Sequence, residues 1–247
     1  MPHQTRGVFR QWVPKYTLNW VDEFARSGAW DFKVDGAYTD VQGIQWDIAD
    51  STIDGEGNAA IDLDVGGVVV ATSANGEITF RQFIDTLPGL SDYALTDHLA
   101  ILFEATSADQ TTTNQVTSYR FGDTTFTDGA HQIFRFRNGG ASEMRQNRKQ
   151  TSPGNFDSAV VTLDAAYHDV AGFDISGDLC TPYYGASVPG APFVGLTAGN
   201  AQSMVRQPDN SALPYDAAGA TFQYAVNRNS GTNYTMTWVS CTIWREE

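Results

Sequence analysis

Residues 222–238, with the sequence FQYAVNRNSGTNYTMTW, indicate the fold class of the whole chain. Large apolar side chains occupy every second position on both sides of a polar turn at 227–233. A period of two is typical of β-strands that bury one face and expose the other. We therefore predict two strands that pair as a C-terminal hairpin. The alternating residues are Phe222, Tyr224 and Val226 before the turn, and Tyr234, Met236 and Trp238 after it.

The same alternation recurs from residue 30 onward. Asn75-Gly76 lies between two apolar runs and is a strong signal for a second hairpin. Many short strands with frequent turns favour an all-β chain, an antiparallel β-sandwich or jelly roll with at most one or two short helices. The predicted strands are Trp30–Val34, Ile44–Ile48, Ile61–Val65, Val68–Ala71, Ile78–Ile84, Leu99–Ala105, Val116–Phe121 and His131–Arg137.

The first 20 residues differ from the rest of the chain. They carry aromatic residues at irregular spacing, and Pro14 interrupts any regular helix. We predict an extended N-terminal arm over 1–20 that buries itself on its own body or on a neighbouring copy. A short helix at 20–27 begins a β-sandwich body over 21–247, and a boundary near 150 is the alternative division. The aromatic arm residues are Phe9, Trp12, Tyr16 and Trp20.

The net charge of −14 is unevenly distributed along the chain. Residues 1–21 carry a net charge of +3, residues 22–134 carry −15 and residues 135–149 carry +4. One interpretation is a set of solvated loops on an acidic protein. The other is self-complementarity, in which the basic arm of one copy lies on the acidic body of another.

Two segments lack an alternating pattern, and we predict long loops there. Asn138–Phe156 is polar and basic, whereas Cys180–Pro214 contains five prolines among small residues. Loops of this length are usually functional surfaces or disordered segments. The basic residues Arg145, Arg148 and Lys149 are expected to contact the acidic region of an adjacent copy.

Composition argues against several function classes. Acidic residues outnumber basic ones by 29 to 15, unlike in a general nucleic-acid binder. The longest apolar stretch, Val65–Ala71, is too short to span a bilayer, so no membrane partner is expected. Cys180 and Cys241 are too few for a disulfide scaffold, and we predict buried free thiols.

No motif assigns a catalytic reaction. The chain contains neither a Gly-x-Ser-x-Gly nucleophile elbow nor a Gly-x-x-x-x-Gly-Lys phosphate loop. Asp54, Glu56 and Asn58 alternate like the first ligands of a calcium loop. The match ends at Ala59 and Val65, where such loops carry Gly and Glu. We therefore expect no enzyme activity, no cofactor and no metal, with this segment as the single calcium candidate.

Aromatic residues near the Pro-rich segment suggest a different class of function. Ring faces bind the apolar faces of sugars by stacking and burial. We predict that Tyr183, Tyr184 and Trp244 are exposed and could stack on a glycan. Their alternative role is to anchor loops and cover a sheet edge.

An aromatic arm, an acidic β-rich body and long loops of Gly, Ala, Asn and Thr resemble virion proteins of bacteriophages and viruses. The resemblance concerns the composition and organisation of the whole chain and includes no defining motif. Head-decoration, capsid-associated and tail-fibre or adaptor proteins resemble it equally. The resemblance implies β-sandwich bodies that assemble as symmetric oligomers through exchanged arms and long loops, and it assigns no site residue.

Three hypotheses follow from these observations. The first is a non-enzymatic structural protein of a virion, assembled in the host cytoplasm from copies of itself and other virion proteins through its arm. The alternative is a glycan-binding module of the lectin-like or receptor-binding kind. The third is a polysaccharide-degrading enzyme, for which no catalytic carboxylate pair can be named among the acidic residues.

Overall fold

The structure is a computed structural model that describes residues 10–19, 36–39, 42–49, 59–64, 67–72, 77–94, 96–107, 115–122, 130–138, 141–149, 161–164, 168–176, 179–186, 191–203, 221–228 and 234–247. Within these ranges the chain forms β-strands and one 3₁₀ turn, Ile84–Thr86. The strands of the first half are β1 (Trp12–Asn19), β2 (Gly36–Thr39), β3 (Gln45–Ala49), β4 (Ala59–Asp64), β5 (Gly67–Thr72), β6 (Glu77–Phe83), β7 (His98–Ser107) and β8 (Gln115–Gly122). Those of the second half are β9 (Ala130–Asn138), β10 (Ala141–Lys149), β11 (Val161–Asp164), β12 (Val170–Ser176), β13 (Leu179–Gly185), β14 (Thr197–Ala198), β15 (Gln202–Ser203), β16 (Thr221–Arg228) and β17 (Tyr234–Glu246).

The strands form two antiparallel sheets, which confirms the predicted jelly-roll-like β-sandwich. The nine-stranded sheet has the order β14-β13-β12-β7-β17-β5-β4, with β1 beside β17 and β15 beside β13. The eight-stranded sheet has the order β11-β10-β9-β8-β16-β6-β3-β2. No helix in the described part of the chain has the length and apolar character needed to cross a bilayer.

The core between the sheets is rich in aromatic side chains. The rings of Phe103 in β7 and Tyr119 in β8 stack with centroids 5.1 Å apart. Phe80 in β6 meets Trp238 in β17 edge-on at 4.6 Å. All four side chains are fully buried, so apolar residues of alternating strands form the interior of a sandwich.

The predicted C-terminal hairpin is wrong, although both of its strands are present. β16 lies between β6 and β8 in one sheet, whereas β17 lies between β7 and β5 in the other. The chain therefore crosses from sheet to sheet between them. Alternation shows that a strand buries one face, but both sheets of a sandwich bury such a face, so the pattern does not specify the sheet.

The predicted hairpin around Asn75-Gly76 is wrong for the same reason. β5 pairs with β4 and β17, while β6 pairs with β3 and β16. The residues between these two strands connect different sheets. Packed sheets lie about 10 Å apart, a distance that four residues can span.

The predicted basic loop at Asn138–Phe156 is wrong over most of its length. Residues 141–149 form β10, which pairs with β9 along its whole length and with β11 on its other side. Only Gly139-Gly140 separates the register partners Asn138 and Ala141, and such a pair of glycines favours a two-residue connection. Few residues of β10 prefer strands in isolation, but strand preference depends strongly on the neighbouring strands.

The predicted Pro-rich loop starts too early in the chain. Leu179–Gly185 forms β13, and the short strands β14 and β15 pair with it. Cys180 in β13 and Cys241 in β17 are both buried and neither forms a disulfide, which confirms the predicted state of the thiols.

Within the predicted N-terminal arm, residues 12–19 form strand β1 along β17 of the same chain. Tyr16 and Leu18 of this strand are buried, so the arm takes the first of its two predicted positions, on its own body. β10 and β11, on either side of residue 150, are adjacent strands of one sheet. Outside the described residues lie Phe9, Trp20, the predicted helix at 20–27, the strand Trp30–Val34, and the calcium candidates Asp54, Glu56 and Asn58.

Candidate functional site

The outer face of the eight-stranded sheet carries a row of polar positions. Register partners connect one position on each of six consecutive strands, from β3 at one end to β10 at the other. Adjacent strands are about 4.8 Å apart, so the row is roughly 24 Å long. The residues of this polar row are Asp47, Arg81, Gln223, Arg120, Gln132 and Asn147.

Small residues flank the centre of the polar row on both sides. Thr79, Ala225 and Ser118 are register partners in the neighbouring row on one side. Thr221 and Gly122 are register partners on the other. Thr221 is fully buried, and its hydroxyl donates a hydrogen bond to the Gly122 carbonyl at 3.0 Å.

Alternation along β6 explains how the polar row reaches the outer face. Phe80 points into the core and is fully buried, so Arg81 and Phe83 lie on the opposite side of the sheet, where both are half-buried. The guanidinium carbon of Arg81 lies 6.0 Å from the centroid of the Phe83 ring. A cation at this distance over an aromatic face is held there by the charge distribution of the ring.

A cavity of about 330 Å³ opens beside the β3–β6 end of the polar row. It lies where β3 begins and where β6 passes into the 3₁₀ turn. Its described lining residues are Gly43, Ile44, Gln45, Gln82, Phe83 and Thr86. Phe83 thus lines the cavity, and its contact with Arg81 places it beside the polar row as well.

The outer face of the nine-stranded sheet carries a second cluster, centred on His98. Nε2 of His98 lies 2.6 Å from Oδ1 of Asp174, and Nδ1 lies 2.8 Å from Oε2 of Glu246. Burial raises the pKa of Asp174, and the contact with His98 opposes this rise. The hydrogen bond from His98 lowers the pKa of Glu246, and Arg10 lowers it further.

Aromatic rings cover this histidine. Trp12 of β1 meets the His98 ring edge-on at 4.5 Å and the Phe193 ring at 5.7 Å. Phe193 has a φ of 67°, which is strained for a bulky residue and persists only where packing holds it. Its ring also lies 4.2 Å from that of Tyr183. Packing on both sides therefore fixes Phe193 in this backbone conformation.

The predicted exposure of Tyr184 and Trp244 is wrong. Each is only 6% exposed. Trp244 packs with Ala100 and Leu102 beneath Trp12, and the Tyr184 ring lies 5.0 Å from that of His168. Tyr183 is half-buried against Phe193. These rings therefore serve the packing of the protein, which was the alternative role considered for them.

The other predicted site residues are separated by the strands that carry them. Arg145 and Lys149 have the same parity along β10 and Arg148 has the opposite one, so the three positions divide between two faces of the sheet. Trp12 and Tyr16 lie in β1. Across the described ranges, no group of three His, Cys, Asp or Glu residues is arranged to hold a metal ion.

Sequence reasoning missed both clusters. His98, Asp174 and Glu246 are far apart in the chain, and no local motif links them. The polar row left a weak signal, because Arg81 and Arg120 are two of only four basic residues in the acidic stretch 22–134. An isolated arginine within a strand of alternating apolar residues indicates that its positive charge lies on one face of the sheet.

Comparisons with known proteins identify the fold. No protein family model matches the chain, and no curated protein matches it. A protein of unknown function from Shewanella oneidensis MR-1 superposes with a TM-score of 0.54 at 8% identity, over 98% of this chain and 90% of that chain. The lumenal domain of VIP36, in a form with Ca²⁺ and Man3GlcNAc bound, gives a TM-score of 0.48 at 10% identity, over 83% of this chain and 84% of that one.

An enzyme domain shares the fold over almost its whole length. The catalytic domain of an endo-1,3-β-glucanase (laminarinase) from Thermotoga petrophila RKU-1 has a TM-score of 0.53 at 8% identity, covering 96% of this chain and 99% of that chain. At such low identity the similarity establishes the architecture alone. The chain is similar in fold to this glucanase domain, and both have the form of a jelly-roll-like β-sandwich.

Proposed function

We propose that the chain is a glycan-binding β-sandwich protein whose site is the outer face of the eight-stranded sheet. The polar row is the observation that carries this proposal, because its six register partners across six strands are all polar. Sugars present hydroxyl groups that both donate and accept hydrogen bonds. Arginine donates, aspartate accepts, and glutamine and asparagine do both, so the row matches that chemistry.

The dimensions of the site favour an extended ligand. A row of roughly 24 Å exceeds the reach of a single sugar. Phe83 adds an aromatic ring at one end, against which an apolar sugar face can pack. An oligosaccharide or polysaccharide fits this combination better than a small metabolite does.

The polar row favours glycan binding without hydrolysis. Glycoside hydrolysis uses two carboxyl groups on either side of the scissile bond in most enzymes. The polar row contains one acidic position, Asp47, among its six residues. The chain would therefore hold a glycan at this face rather than cleave it.

Substitutions in the centre of the row test this proposal. Arg120→Ala should weaken binding to glycans recognised on a broad array by about tenfold or more, since hydrogen bonds that involve charge are worth about 1.5–3 kcal/mol. Gln223→Ala should weaken it by about fivefold, since a neutral hydrogen bond is worth about 1 kcal/mol. Arg228→Ala, at the end of the same strand as Gln223 and outside the row, is the matched control and should bind normally. Thermal melting of each variant separates lost binding from lost folding. A wild-type chain that binds nothing on the array, or folded row variants that bind as well as wild type, would contradict the proposal.

A second proposal concerns assembly, and the contacts of β1 support it. Among the described strands, β1 pairs with β17 alone, over Trp12–Asn19. Arg10 lies 3.4 Å from Glu246, and Lys15 forms an ion pair with Glu247. We propose that β1 of one copy can take the same place on β17 of another, because exchange of an identical element preserves every contact. A virion setting for such an oligomer stays a prediction.

A pair of engineered cysteines distinguishes exchange from self-docking. Thr17 and Thr242 are register partners across β1 and β17, within the separation that a disulfide bridges. Thr17→Cys combined with Thr242→Cys should yield a covalent dimer on a non-reducing gel after oxidation, reversed by reductant. Each single cysteine variant is a control for the native thiols. If refolding at high protein concentration yields intrachain disulfides and no interchain ones, the exchange of β1 is refuted.

A further inference from the structure

The imidazole of His98 contacts a carboxyl group with each of its two ring nitrogens. Nε2 lies 2.6 Å from Oδ1 of Asp174 in β12, and Nδ1 lies 2.8 Å from Oε2 of Glu246 in β17. Both distances are those of hydrogen bonds, and each hydrogen bond requires a proton between its two heavy atoms. A neutral imidazole has one N–H group and one bare nitrogen, so it supplies only one of these two protons.

The cluster of His98, Asp174 and Glu246 therefore holds one proton more than a neutral imidazole and two carboxylates contain. Its surroundings place this proton between His98 and Asp174. The hydrogen bond from His98 and the nearby Arg10 lower the pKa of Glu246, so this carboxyl group is ionised. Burial raises the pKa of Asp174, which favours a proton in its contact with Nε2. Without that proton, two lone pairs would face each other at 2.6 Å.

Strand β1 packs on this cluster and is sensitive to its charge. The Trp12 ring meets the imidazole with centroids 4.5 Å apart, and Arg10 lies 3.4 Å from Glu246. With the extra proton, the charges of Arg10 and of the three cluster residues cancel. Without it, one negative charge is left uncompensated beneath the indole, which limits the access of water to it. Docking of β1 therefore favours the protonated cluster, because desolvation disfavours an uncompensated charge.

The ionisable groups around the cluster do not replace this proton. In β13, burial and the charge of Asp174 raise the pKa values of Tyr183 and Cys180, so both side chains stay neutral at pH 9. Histidine is the side chain that ordinarily changes its charge between about pH 5 and 8. Further charged groups in the described part of the chain form ion pairs of their own, Arg245 with Asp92 and Asp97, and Lys15 with Glu247.

We propose that the proton shared by His98 and Asp174 holds the N-terminal end of β1 on β17, and that its loss at mildly alkaline pH releases this end for exchange between copies. The inference rests on the proposed exchange of β1, since a strand has to leave its own body before it can take the same place on another. Docking is favoured while the proton is bound and weakens as the pH rises and the proton leaves.

Two features determine what the release changes. Phe193 favours it, because the strained φ of 67° is held by packing that includes the Trp12 ring at 5.7 Å. Exchange restores every contact of β1 on the second copy, including those with the His98 cluster. The pH should therefore control the rate of exchange, and not the final share of exchanged strands.

Amide hydrogen exchange followed by NMR tests the proposal. The Gln11 amide donates to the Glu247 carbonyl at 2.8 Å, beside the register pair of Trp12 and Glu246, so its protection reports opening of this end of β1. The protection factor of Gln11, corrected for the intrinsic rate at each pH, should fall by about tenfold or more between pH 6.5 and pH 9. A step linked to one proton changes its equilibrium by up to about tenfold per pH unit. The ring ¹⁵N signals of His98 should titrate over the same range.

Asp174→Asn removes the requirement for the extra proton. The Asn amide group can donate to Nε2 while Nδ1–H donates to Glu246, so a neutral imidazole satisfies both contacts. Protection of Gln11 in this variant should not change with pH. Asp92→Asn is the matched control, because it makes the same substitution at a carboxylate whose partner, Arg245, does not titrate. This control should keep the pH dependence of the wild type.

The outcomes separate the proton from the exchange on which the inference rests. A protection factor that is constant in the wild type, or that falls equally in Asp174→Asn, refutes the role of the proton, while interchain disulfides of the Thr17→Cys and Thr242→Cys pair can still support exchange. If protection responds to pH as expected but only intrachain disulfides form, the proton holds β1 and the exchange is refuted. Where dimers form, light scattering should show faster formation at pH 9 than at pH 6.5, and equal rates would refute the link between release and exchange.

Discussion

Replacing Gly172 with alanine is expected to lower the free energy of unfolding by more than about 3 kcal/mol. Gly172 lies in β12, where its register partners are Leu102 in β7 and Tyr183 in β13. A Cβ atom at this position would overlap the carbonyl oxygen of Ile101 and lie 2.9 Å from the Cα of Leu102. Both are backbone atoms of a central strand, so relief of the clash requires the two strands to separate.

Urea unfolding of the Gly172→Ala variant measures this effect. Gly43→Ala provides the contrast, because no atom lies within 4 Å of a Cβ there and only its φ of 81° opposes a side chain. That control should lose about 1 kcal/mol. Equal losses in the two variants would show that the strands can separate at little cost, contrary to the close approach of β7 and β12.

The second large effect is expected for His98→Leu, with a loss of about 2 kcal/mol in the free energy of unfolding at pH 7. The variant leaves the partly buried carboxylates of Asp174 and Glu246 without the imidazole that contacts both. It also removes the ring against which Trp12 packs. The side chains of the cluster remain 19–26% exposed, so the loss is smaller than for a fully buried ion pair.

The sign of the pH dependence follows from the carboxyl groups. In the wild type the pKa of Glu246 is lowered, so its stabilising contribution is complete above the ordinary pKa of 4.5 and is lost as the pH falls through the lowered value. In the variant the charged forms of Asp174 and Glu246 destabilise the folded protein. Protonation of these carboxylates therefore restores part of the lost stability. The deficit measured by urea unfolding should therefore shrink between pH 7 and pH 4.

A second substitution separates the charge effect from the packing effect. Adding Asp174→Asn to His98→Leu removes one of the two facing charges and should recover part of the lost stability at pH 7. A deficit that is constant with pH and unaffected by Asp174→Asn would mean that His98 acts through its contact with Trp12 alone.

The sequence predicted strands better than it predicted their partners. Alternation located β3, β4, β7, β8 and β9 because burial of one face imposes a period of two on each strand separately. Pairing depends on contacts between strands distant in the chain, and this is why the two predicted hairpins failed. β10 was missed because its neighbours β9 and β11, and not its own composition, make it a strand.

The candidate sites were harder to predict for a related reason. The polar row exists only across strands, since each strand contributes one residue to it and six registers bring the residues into line. Trp244 was predicted to be exposed because nothing local to it shows that Trp12 and Phe193 cover its face of the sheet. Tyr184 was predicted to be exposed because nothing local to it shows which face of β13 lies against the core. Gln82 occupies an apolar position in its strand, and this conflict between a residue and its expected environment is visible only once the register is known.

The central position of β17 has a consequence for synthesis of the protein. β17 leaves the ribosome after β1, β5 and β7, yet it lies between β7 and β5 in the nine-stranded sheet and also supports β1. Until residues 234–246 emerge, these three strands lack a hydrogen-bonding partner along one edge. Open strand edges promote pairing between chains, so the nascent protein has to keep these edges apart until residues 234–246 emerge. Assembly of the nine-stranded sheet therefore waits for the synthesis of β17.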